Sequence, residues 1–207
     1  MKIKNCYLCS GKDFFKRPGK VRDNSKLKVL ECKKCSLVFL SSFSHIKNMH
    51  YENSGMHKHK NYSIQKWLKE TNEDDNRRYK FIENKIKNKN ILDFGCGVGG
   101  FLSIAKKSAK NALGLEIEKS LQKSFKKRKL DVFQNLEDIE KKSIKFDLIT
   151  SFHVFEHLYD PKSILIKLSK FLDKNGEIIF EVPNSDDALL TLYENNFFQN
   201  FTYWSQH

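Results

Sequence analysis

The sequence contains no long hydrophobic run. No stretch of about 18 consecutive apolar residues occurs, so we expect no membrane-spanning helix. The opening residues, MKIKNCYLCS, are basic but lack the apolar segment of a secretory signal. Together, these two absences predict a cytoplasmic protein.

Arginine is scarce although the chain is strongly basic. The net charge is +13, yet only five of the 38 basic residues are Arg, and the lysines are spread along the whole chain. Bidentate phosphate recognition favours Arg, so this composition argues against a nucleic-acid partner without excluding one. A small anionic substrate fits the charge equally well.

Cysteine is also sparse, but its spacing is informative. Four of the five cysteines form two C-x-x-C pairs separated by 22 residues: Cys6, Cys9, Cys32 and Cys35. Disulfides are not expected without secretion, and a redox C-x-x-C is not expected in duplicate. The spacing predicts a structural Zn²⁺ in a zinc-ribbon domain over residues 1–44. Four thiolates leave no open position on the metal, so we expect no catalytic role for it.

A polar segment and a helix follow, and we assign residues 45–86 to a helical linker or lid. The polar segment contains four histidines, but it lacks Cys or acidic partners at ligand spacing, so a second metal site is not favoured. Apolar residues at helical spacing then predict a helix over residues 64–86. Its apolar members are Trp67, Leu68, Tyr79, Phe81, Ile82 and Ile86.

From residue 87 to residue 207, short apolar strands alternate with amphipathic helices. Strands are predicted over residues 90–95, 112–118, 130–135, 146–155 and 177–184. The last helix begins at the cap Asp160 and is expected to end at Gly176. This alternation predicts a doubly wound, mostly parallel α/β sheet, whose ligands bind at the carboxyl ends of the strands.

The string ILDFGCGVGG, residues 91–100, fits two nucleotide-binding patterns. Gly95, Gly97 and Gly100 satisfy G-x-G-x-x-G, the dinucleotide pattern, which predicts NAD. Gly95, Gly97 and Gly99 also satisfy G-x-G-x-G, preceded by Asp93. Both patterns require an acidic residue about 20 positions later to accept hydrogen bonds from ribose hydroxyls, and Glu116 serves either cofactor.

Residues 146–184, FDLITSFHVFEHLYDPKSILIKLSKFLDKNGEIIFEVPN, distinguish the two patterns. This stretch resembles the region between strands four and five of class I S-adenosylmethionine-dependent methyltransferases, and the G-x-G-x-G loop resembles their motif I. CKKCSLVFL is similar to the end of the zinc ribbon in a subgroup that includes sugar and surface-polysaccharide methyltransferases. In that subgroup Gly stands where this chain has Ser36.

The resemblance implies a Rossmann-like methyltransferase fold, an S-adenosylmethionine site and a small acceptor such as a sugar nucleotide or a phosphorylated glycan precursor. The implied cofactor residues are Asp93, Gly95, Cys96, Gly97, Gly99, Glu116, Ile117, Asn135, Leu136 and Phe152. For Cys96, we prefer packing as a small buried residue.

Three residues at the end of the fourth strand and just after it are candidates for acid–base chemistry. His157 or His153 is expected to deprotonate a hydroxyl acceptor, and Glu156 to orient the base. One of the two histidines could instead cap the following turn. The same string, HVFEH, also matches the H-x-x-E-H peptidase pattern, but that chemistry requires a helix, and this string follows a strand.

The family sheet has seven strands, whereas the sequence offers only five. We therefore expect the last two strands to be absent and transfer activity to depend on what completes the fold. The C-terminal segment contains an apolar cluster that could bind a partner or a second copy: Phe197, Phe198, Phe201, Tyr203 and Trp204. An RNA methyltransferase and a non-catalytic binding module remain the alternative functions.

Overall fold

The computed structural model describes residues 3–43, 63–193 and 195–205. The histidines of the polar segment and the C-terminal residue lie outside these ranges: His45, His50, His57, His59 and His207.

The chain divides into two compact units. The first contains Met1–Asn48, Phe155–Ile164 and Val182–His207, and the second contains Met49–Val154 and Leu165–Glu181. The second unit therefore joins the helix predicted over residues 64–86 to the α/β sheet.

Eight strands are found in the described residues. In chain order they are β1 (Phe14–Lys16), β2 (Val29–Cys32), β3 (Val38–Leu40), β4 (Asn90–Phe94), β5 (Asn111–Leu115), β6 (Asp131–Phe133), β7 (Phe146–Phe152) and β8 (Leu172–Glu181). The α-helices are α1 (Ile64–Ile86), α2 (Gly100–Ala105), α3 (Gln122–Lys127), α4 (Leu136–Lys141), α5 (Pro161–Ser169), α6 (Ala188–Thr191) and α7 (Asn196–Thr202). None of the helices in the described ranges is both long and apolar enough to cross a membrane.

The first unit is built on a small antiparallel sheet with the order β1-β2-β3. One face contacts the cysteine cluster, where Phe39 is buried beside Cys6 and Cys32. Other apolar side chains of the ribbon pack with residues from α6 and the C-terminal segment, among them Leu190 and Tyr203. Tyr203, part of the C-terminal apolar cluster, is thus buried inside this unit, whereas Phe197 is exposed.

The second unit contains a five-stranded parallel sheet with the order β6-β5-β4-β7-β8. The predicted doubly wound fold and its five strands are confirmed. The chain reverses its direction of winding between β4 and β7, so the crevice at their carboxyl ends is where a ligand is expected. The core beneath is continuous, with Ile91, Leu92, Leu148 and Ile149 almost fully buried on these two strands.

Helix α1 runs over the predicted residues. It begins after Ser63, whose hydroxyl accepts a hydrogen bond from the Lys66 N–H at 3.1 Å. Ile82 and Ile86, one turn apart, are buried in the core of the second unit. The expectation that Phe81 belongs to the apolar face is wrong, because its side chain is 85% exposed. Phe81 lies next to Ile82, where the helix is kinked with φ and ψ values of −120° and 15°, so regular helical spacing does not hold there.

The predicted boundary between the helix that follows Asp160 and the fifth strand of the sheet is wrong. That helix, α5, ends at Ser169 rather than at Gly176, and β8 already begins at Leu172. Gly176 lies within β8, where an added Cβ would come within 2.7 Å of the carbonyl oxygen of Phe146. The glycine thus permits close approach to a neighbouring strand instead of ending a helix. The start of α5 is confirmed, since the Ser163 N–H donates to the carboxylate of Asp160 at 3.0 Å.

Candidate functional site

The glycine loop connects β4 to α2 and has left-handed backbone conformations. Gly95, Gly97 and Gly99 have φ values of 74°, 52° and 74°. At Gly95 an added Cβ would lie 2.4 Å from Val154, so its bare backbone serves packing. At Gly97 the nearest atom to an added Cβ is 3.8 Å away, on the indole of Trp67. An added Cβ at Gly97 would thus meet the indole at ordinary van der Waals distance, so the glycine is favoured there by its positive φ and not by a close contact.

Glu116 lies beside this loop, just after β5. One carboxylate oxygen accepts a hydrogen bond from the Gly97 N–H, and the other accepts from the Glu118 N–H, both at 2.9 Å. Burial raises the pKa of Glu116, and these two N–H groups oppose the rise. A carboxylate has about four acceptor positions, so both oxygens can also accept from the hydroxyls of a ribose.

Asp93 lies beneath the loop rather than on its surface. Its side chain is buried, and one oxygen accepts a hydrogen bond from the Thr150 hydroxyl on β7 at 3.0 Å. Burial raises the pKa of Asp93 to about 7, and the nearby carboxylates of Asp75 and Glu116 add to the rise. Asp93 therefore joins the two strands that flank the crevice.

Cys96 occupies the loop with its side chain turned inward. Its sulfur would lie 2.8 Å from a Cβ added at Gly114, in the adjacent strand β5. Burial raises the pKa of this thiol well above its ordinary value. Both observations agree with packing as the role of the side chain.

The other predicted cofactor residues follow the carboxyl ends of β5, β6 and β7. Ile117 is 37% exposed. The Asn135 side chain caps α4 by accepting from the Asp138 N–H at 2.9 Å, and Leu136 is the first residue of that helix. Phe152 ends β7 and packs edge-to-face against Phe101, with the ring centroids 4.8 Å apart.

The three candidate catalytic residues do not share one compact unit. His153 belongs to the second unit, directly after β7, and has a φ of 55°, which is uncommon for a residue with a Cβ. Glu156 and His157 lie in the one-turn 3-10 helix Phe155–His157 of the first unit. The left-handed conformation of His153 keeps HVFEH from forming the helix that the H-x-x-E-H pattern requires.

Sequence reasoning missed a charged cluster centred on Glu181, the last residue of β8. The Glu181 carboxylate contacts Arg78 at 2.6 Å, Arg77 at 2.9 Å and the His153 ring at 3.1 Å. Arg78 is also 3.6 Å from Asp75. The available signal was the adjacent pair Arg77–Arg78 in a chain that contains only five arginines.

The four ribbon cysteines form a cluster suited to one metal ion. Their sulfurs all lie within 4.8 Å of one another, with Cys6 and Cys35 3.7 Å apart and Cys9 and Cys32 3.5 Å apart. Four Zn–S bonds in a tetrahedron separate the sulfurs by about 3.8 Å, so the cluster fits Zn²⁺. Burial raises the pKa of the Cys6 and Cys35 thiols, whereas for Cys32 nearby backbone N–H groups outweigh burial and lower the pKa to about 7.

These features define a parallel α/β nucleotide-binding fold with a glycine loop and an acidic residue at its carboxyl edge. A family model described as a methyltransferase domain matches residues 55–207, well over half of the chain. The chain belongs to this methyltransferase domain family, and its fold is the Rossmann-like fold of class I S-adenosylmethionine-dependent methyltransferases.

Curated relatives match the chain over part of its length. Ubiquinone biosynthesis O-methyltransferase of Coxiella burnetii is 32% identical over 117 residues, covering 52% of this chain and 50% of that protein. The protein of the same name from Idiomarina loihiensis is 31% identical over 123 residues, covering 52% and 49%. The chain thus spans about half the length of the curated relatives it matches.

Two solved structures share the fold. DhpI in complex with SAH is 13% identical, with a TM-score of 0.50, and the match covers 67% of this chain and 69% of that one. The plantazolicin methyltransferase BpumL, also with SAH, is 18% identical, with a TM-score of 0.50 and coverage of 75% and 67%. At these identities the likeness concerns the fold alone.

Proposed function

We propose that this chain binds S-adenosylmethionine at the glycine loop and catalyses methyl transfer to a hydroxyl group of a small acceptor. The observation that carries this proposal is the hydrogen bond from the Gly97 N–H to Glu116. It lies at the carboxyl edge of the sheet, near the switch of winding direction between β4 and β7. It occurs in a chain of the methyltransferase domain family. Family membership favours S-adenosylmethionine over NAD for the shared loop pattern.

The residues around the loop suit an adenosine. Gly97 is only partly buried, and Glu116 can accept two hydrogen bonds from a ribose diol. Ile117, Asn135, Leu136 and Phe152 stay predicted contacts of the cofactor, on the side of the sheet edge where β5, β6 and β7 end.

When bound, S-adenosylmethionine supplies an electrophilic methyl group. What the protein adds is orientation of the acceptor and removal of its proton. We assign the proton removal to His153, which follows β7 at the crevice and is 47% exposed. His157, with Glu156 to orient it, stays the alternative prediction for the base.

The acceptor is proposed to present an oxygen nucleophile. The support is that the 32%-identical relative is named an O-methyltransferase. The net charge of +13 favours an anionic acceptor over a neutral one. Sugar nucleotides, predicted from the sequence, and intermediates of ubiquinone biosynthesis, suggested by the relative's name, are two classes to compare.

The ribbon is proposed to hold a structural Zn²⁺ through Cys6, Cys9, Cys32 and Cys35. The support is the sulfur geometry, which matches four Zn–S bonds. Four thiolate ligands complete the coordination of the metal, so no step of methyl transfer involves it.

Calorimetric titration with S-adenosylmethionine, S-adenosylhomocysteine and NAD tests the cofactor assignment. We expect the first two to bind and NAD not to bind. Glu116→Ala should weaken binding of both by roughly 10- to 100-fold, because two charge-assisted hydrogen bonds to the ribose are lost. Glu140→Ala, an exposed acidic residue on α4, is the matched control and should leave binding unchanged.

Binding of NAD, or undiminished affinity in Glu116→Ala, would contradict the cofactor assignment. If the cofactor assignment holds, the acceptor is sought with radiolabelled S-adenosylmethionine against a panel of nucleotide sugars and intermediates of ubiquinone biosynthesis. Methylation at a carbon or nitrogen atom of the reacting compound would contradict the hydroxyl assignment.

A further inference from the structure

The ends of strands β7 and β8 are joined by a backbone hydrogen bond and a side-chain contact between the same pair of residues. The His153 N–H donates to the carbonyl oxygen of Glu181 at 2.9 Å. The His153 Nε2 atom lies 3.1 Å from the Glu181 carboxylate. Main chain and side chain of Glu181 therefore both contact His153, which restricts the position of the imidazole as well as that of its backbone.

The Glu181 carboxylate is itself fixed by two arginines of α1. Arg78 donates to Oε1 through Nε and Nη2 at 3.1 and 2.6 Å, and Arg77 donates to Oε2 at 2.9 Å. Burial opposes ionisation of Glu181, but these arginines lower its pKa to about 2. The carboxylate is therefore an acceptor only, and the imidazole nitrogen that faces it must be the donor.

Arg78 is held in turn by its surroundings. Its guanidinium lies over the Phe152 ring, 5.0 Å from the centroid, and 3.6 Å from Asp75. Its side chain is only 11% exposed. The cluster is thus a connected set of contacts from α1 to the ends of two strands, and it converges on His153.

His153 has a left-handed backbone conformation, with a φ of 55°, which is uncommon for a residue with a Cβ. Glycine or asparagine would adopt it with less strain. His153 donates its backbone N–H to Glu181, and its ring contacts the same residue, which suggests that its placement matters more than local stability.

We propose that Glu181 is a positioning residue for methyl transfer: clamped by Arg77 and Arg78, it accepts the Nε2–H of His153 and so leaves the basic lone pair on Nδ1. This inference rests on the proposed role of His153 as the base. A neutral imidazole has one donor and one acceptor nitrogen, so fixing the proton on Nε2 decides which nitrogen can take a proton from the acceptor.

The tautomer of His153 is measured by long-range ¹H–¹⁵N NMR on the full chain labelled in histidine, at a pH at which the ring is neutral. His153→Asn, which tolerates the left-handed conformation, identifies the signals. In the wild type we expect the proton on Nε2 alone. Glu181→Gln, whose amide both donates and accepts, should give a mixture of tautomers.

The matched control is Glu177→Gln, on the same strand but paired with Lys85. It should leave the His153 signals unchanged. A wild-type ring with its proton on Nδ1, or a Glu181→Gln spectrum identical to wild type, overturns the proposal. The wild-type measurement does not use Glu181→Gln, so a misfolded Glu181→Gln would not prevent the test.

Turnover separates this inference from the proposed function. With the panel compound that reacts, Glu181→Gln should lower kcat about 10- to 100-fold and leave the affinity for S-adenosylhomocysteine unchanged. In the His153→Asn background, the same change should have no further effect. Equal losses in both backgrounds would overturn action through His153. Full turnover of His153→Asn alone would instead refute the proposed base.

Discussion

The three-stranded ribbon sheet and the five-stranded parallel sheet are stabilised in different ways. The ribbon strands are three or four residues long, and the core around the cysteines contains few fully buried side chains, among them Cys6, Cys32 and Phe39. The parallel sheet instead buries most of its central strands β4 and β7, with Ile91, Leu92 and Ile149 inaccessible to solvent. A cysteine cluster that binds a metal can thus stabilise a fold whose hydrophobic core is too small to do so.

The comparison also concerns where polar groups are tolerated. The ribbon holds its thiols at the edge of a small core, where a metal can satisfy them. The parallel sheet holds Asp93 inside, where the Thr150 hydroxyl donates a hydrogen bond to its side chain. The first arrangement is proposed to gain stability from a bound ion, and the second loses stability when its carboxyl ionises.

The largest effect is expected from breaking the cysteine cluster. Cys32→Ser should abolish binding of one Zn²⁺ per chain and remove roughly 10 kcal/mol of stabilisation from the ribbon. Hydrogen exchange measured by segment should then show fast exchange over residues 14–40. The amides of β4 and β7 should keep their protection, because a hydrophobic core holds them.

The control for this experiment is Cys96→Ala, which changes the fifth cysteine and should retain the metal. Metal analysis after washing with a chelator provides the second measurement. Absence of zinc from a wild-type protein whose ribbon remains protected would contradict the assignment of the four cysteines as a metal site.

An intermediate effect is expected from the buried carboxyl of the parallel sheet. The folded-state pKa of Asp93 is raised to about 7 from 3.8, so the folded state binds a proton more tightly than the unfolded state. Its contribution to stability is therefore full below about pH 4 and is lost as the pH rises through 7. Asp93→Asn cannot ionise, so it should avoid up to about 4 kcal/mol of the unfolding free energy that the wild type loses as the pH rises.

Urea unfolding of wild type and Asp93→Asn at pH 5 and pH 8 measures this difference. The free energy of unfolding should fall more steeply with pH in the wild type. Glu181 does not interfere, because its pKa of about 2 places its own loss of stability below pH 4.5. Parallel pH dependences in the two proteins would show that Asp93 is ionised at little cost.

How much could be predicted from the sequence depended on the range of the interactions. The strands of the parallel sheet, the helix over residues 64–86 and the cap Asp160 follow from local periodicity and capping chemistry. The predicted end of α5 was wrong, because Gly176 permits a close contact with a strand that begins 30 positions earlier in the sequence. The spacing of the glycines and Glu116 matches a motif, and that motif predicts the cofactor loop.

The charged cluster around His153 could not be predicted in the same way. Arg77 and Arg78 lie more than 100 positions from Glu181, and only the register of β7 with β8 places Glu181 opposite Phe152. No local pattern encodes that register. For the same reason, HVFEH suggested two equivalent histidines, whereas His153 and His157 belong to different compact units.

The smallest effect is expected at the turn after the second cysteine pair, where the ribbon contains local strain. Ser36 has a φ of 58°, and Ser10 after the first pair has a φ of 61°. A residue with a Cβ in this conformation is less stable than glycine by about 1–2 kcal/mol, partly offset by the greater unfolded-state freedom of glycine. Ser36→Gly should therefore stabilise the zinc-loaded ribbon by about 0.5–1 kcal/mol.

Ser36→Ala is the matched control, because it removes the hydroxyl and keeps the Cβ. Chemical unfolding of the zinc-loaded protein, followed by metal release, should show a gain for Ser36→Gly and none for Ser36→Ala. An equal gain in both variants would mean that the hydroxyl, and not the backbone, is the unfavourable group. A loss in Ser36→Gly alone would mean that the rigidity of the turn outweighs its strain, so that the ribbon depends on a stiff turn as well as on its metal.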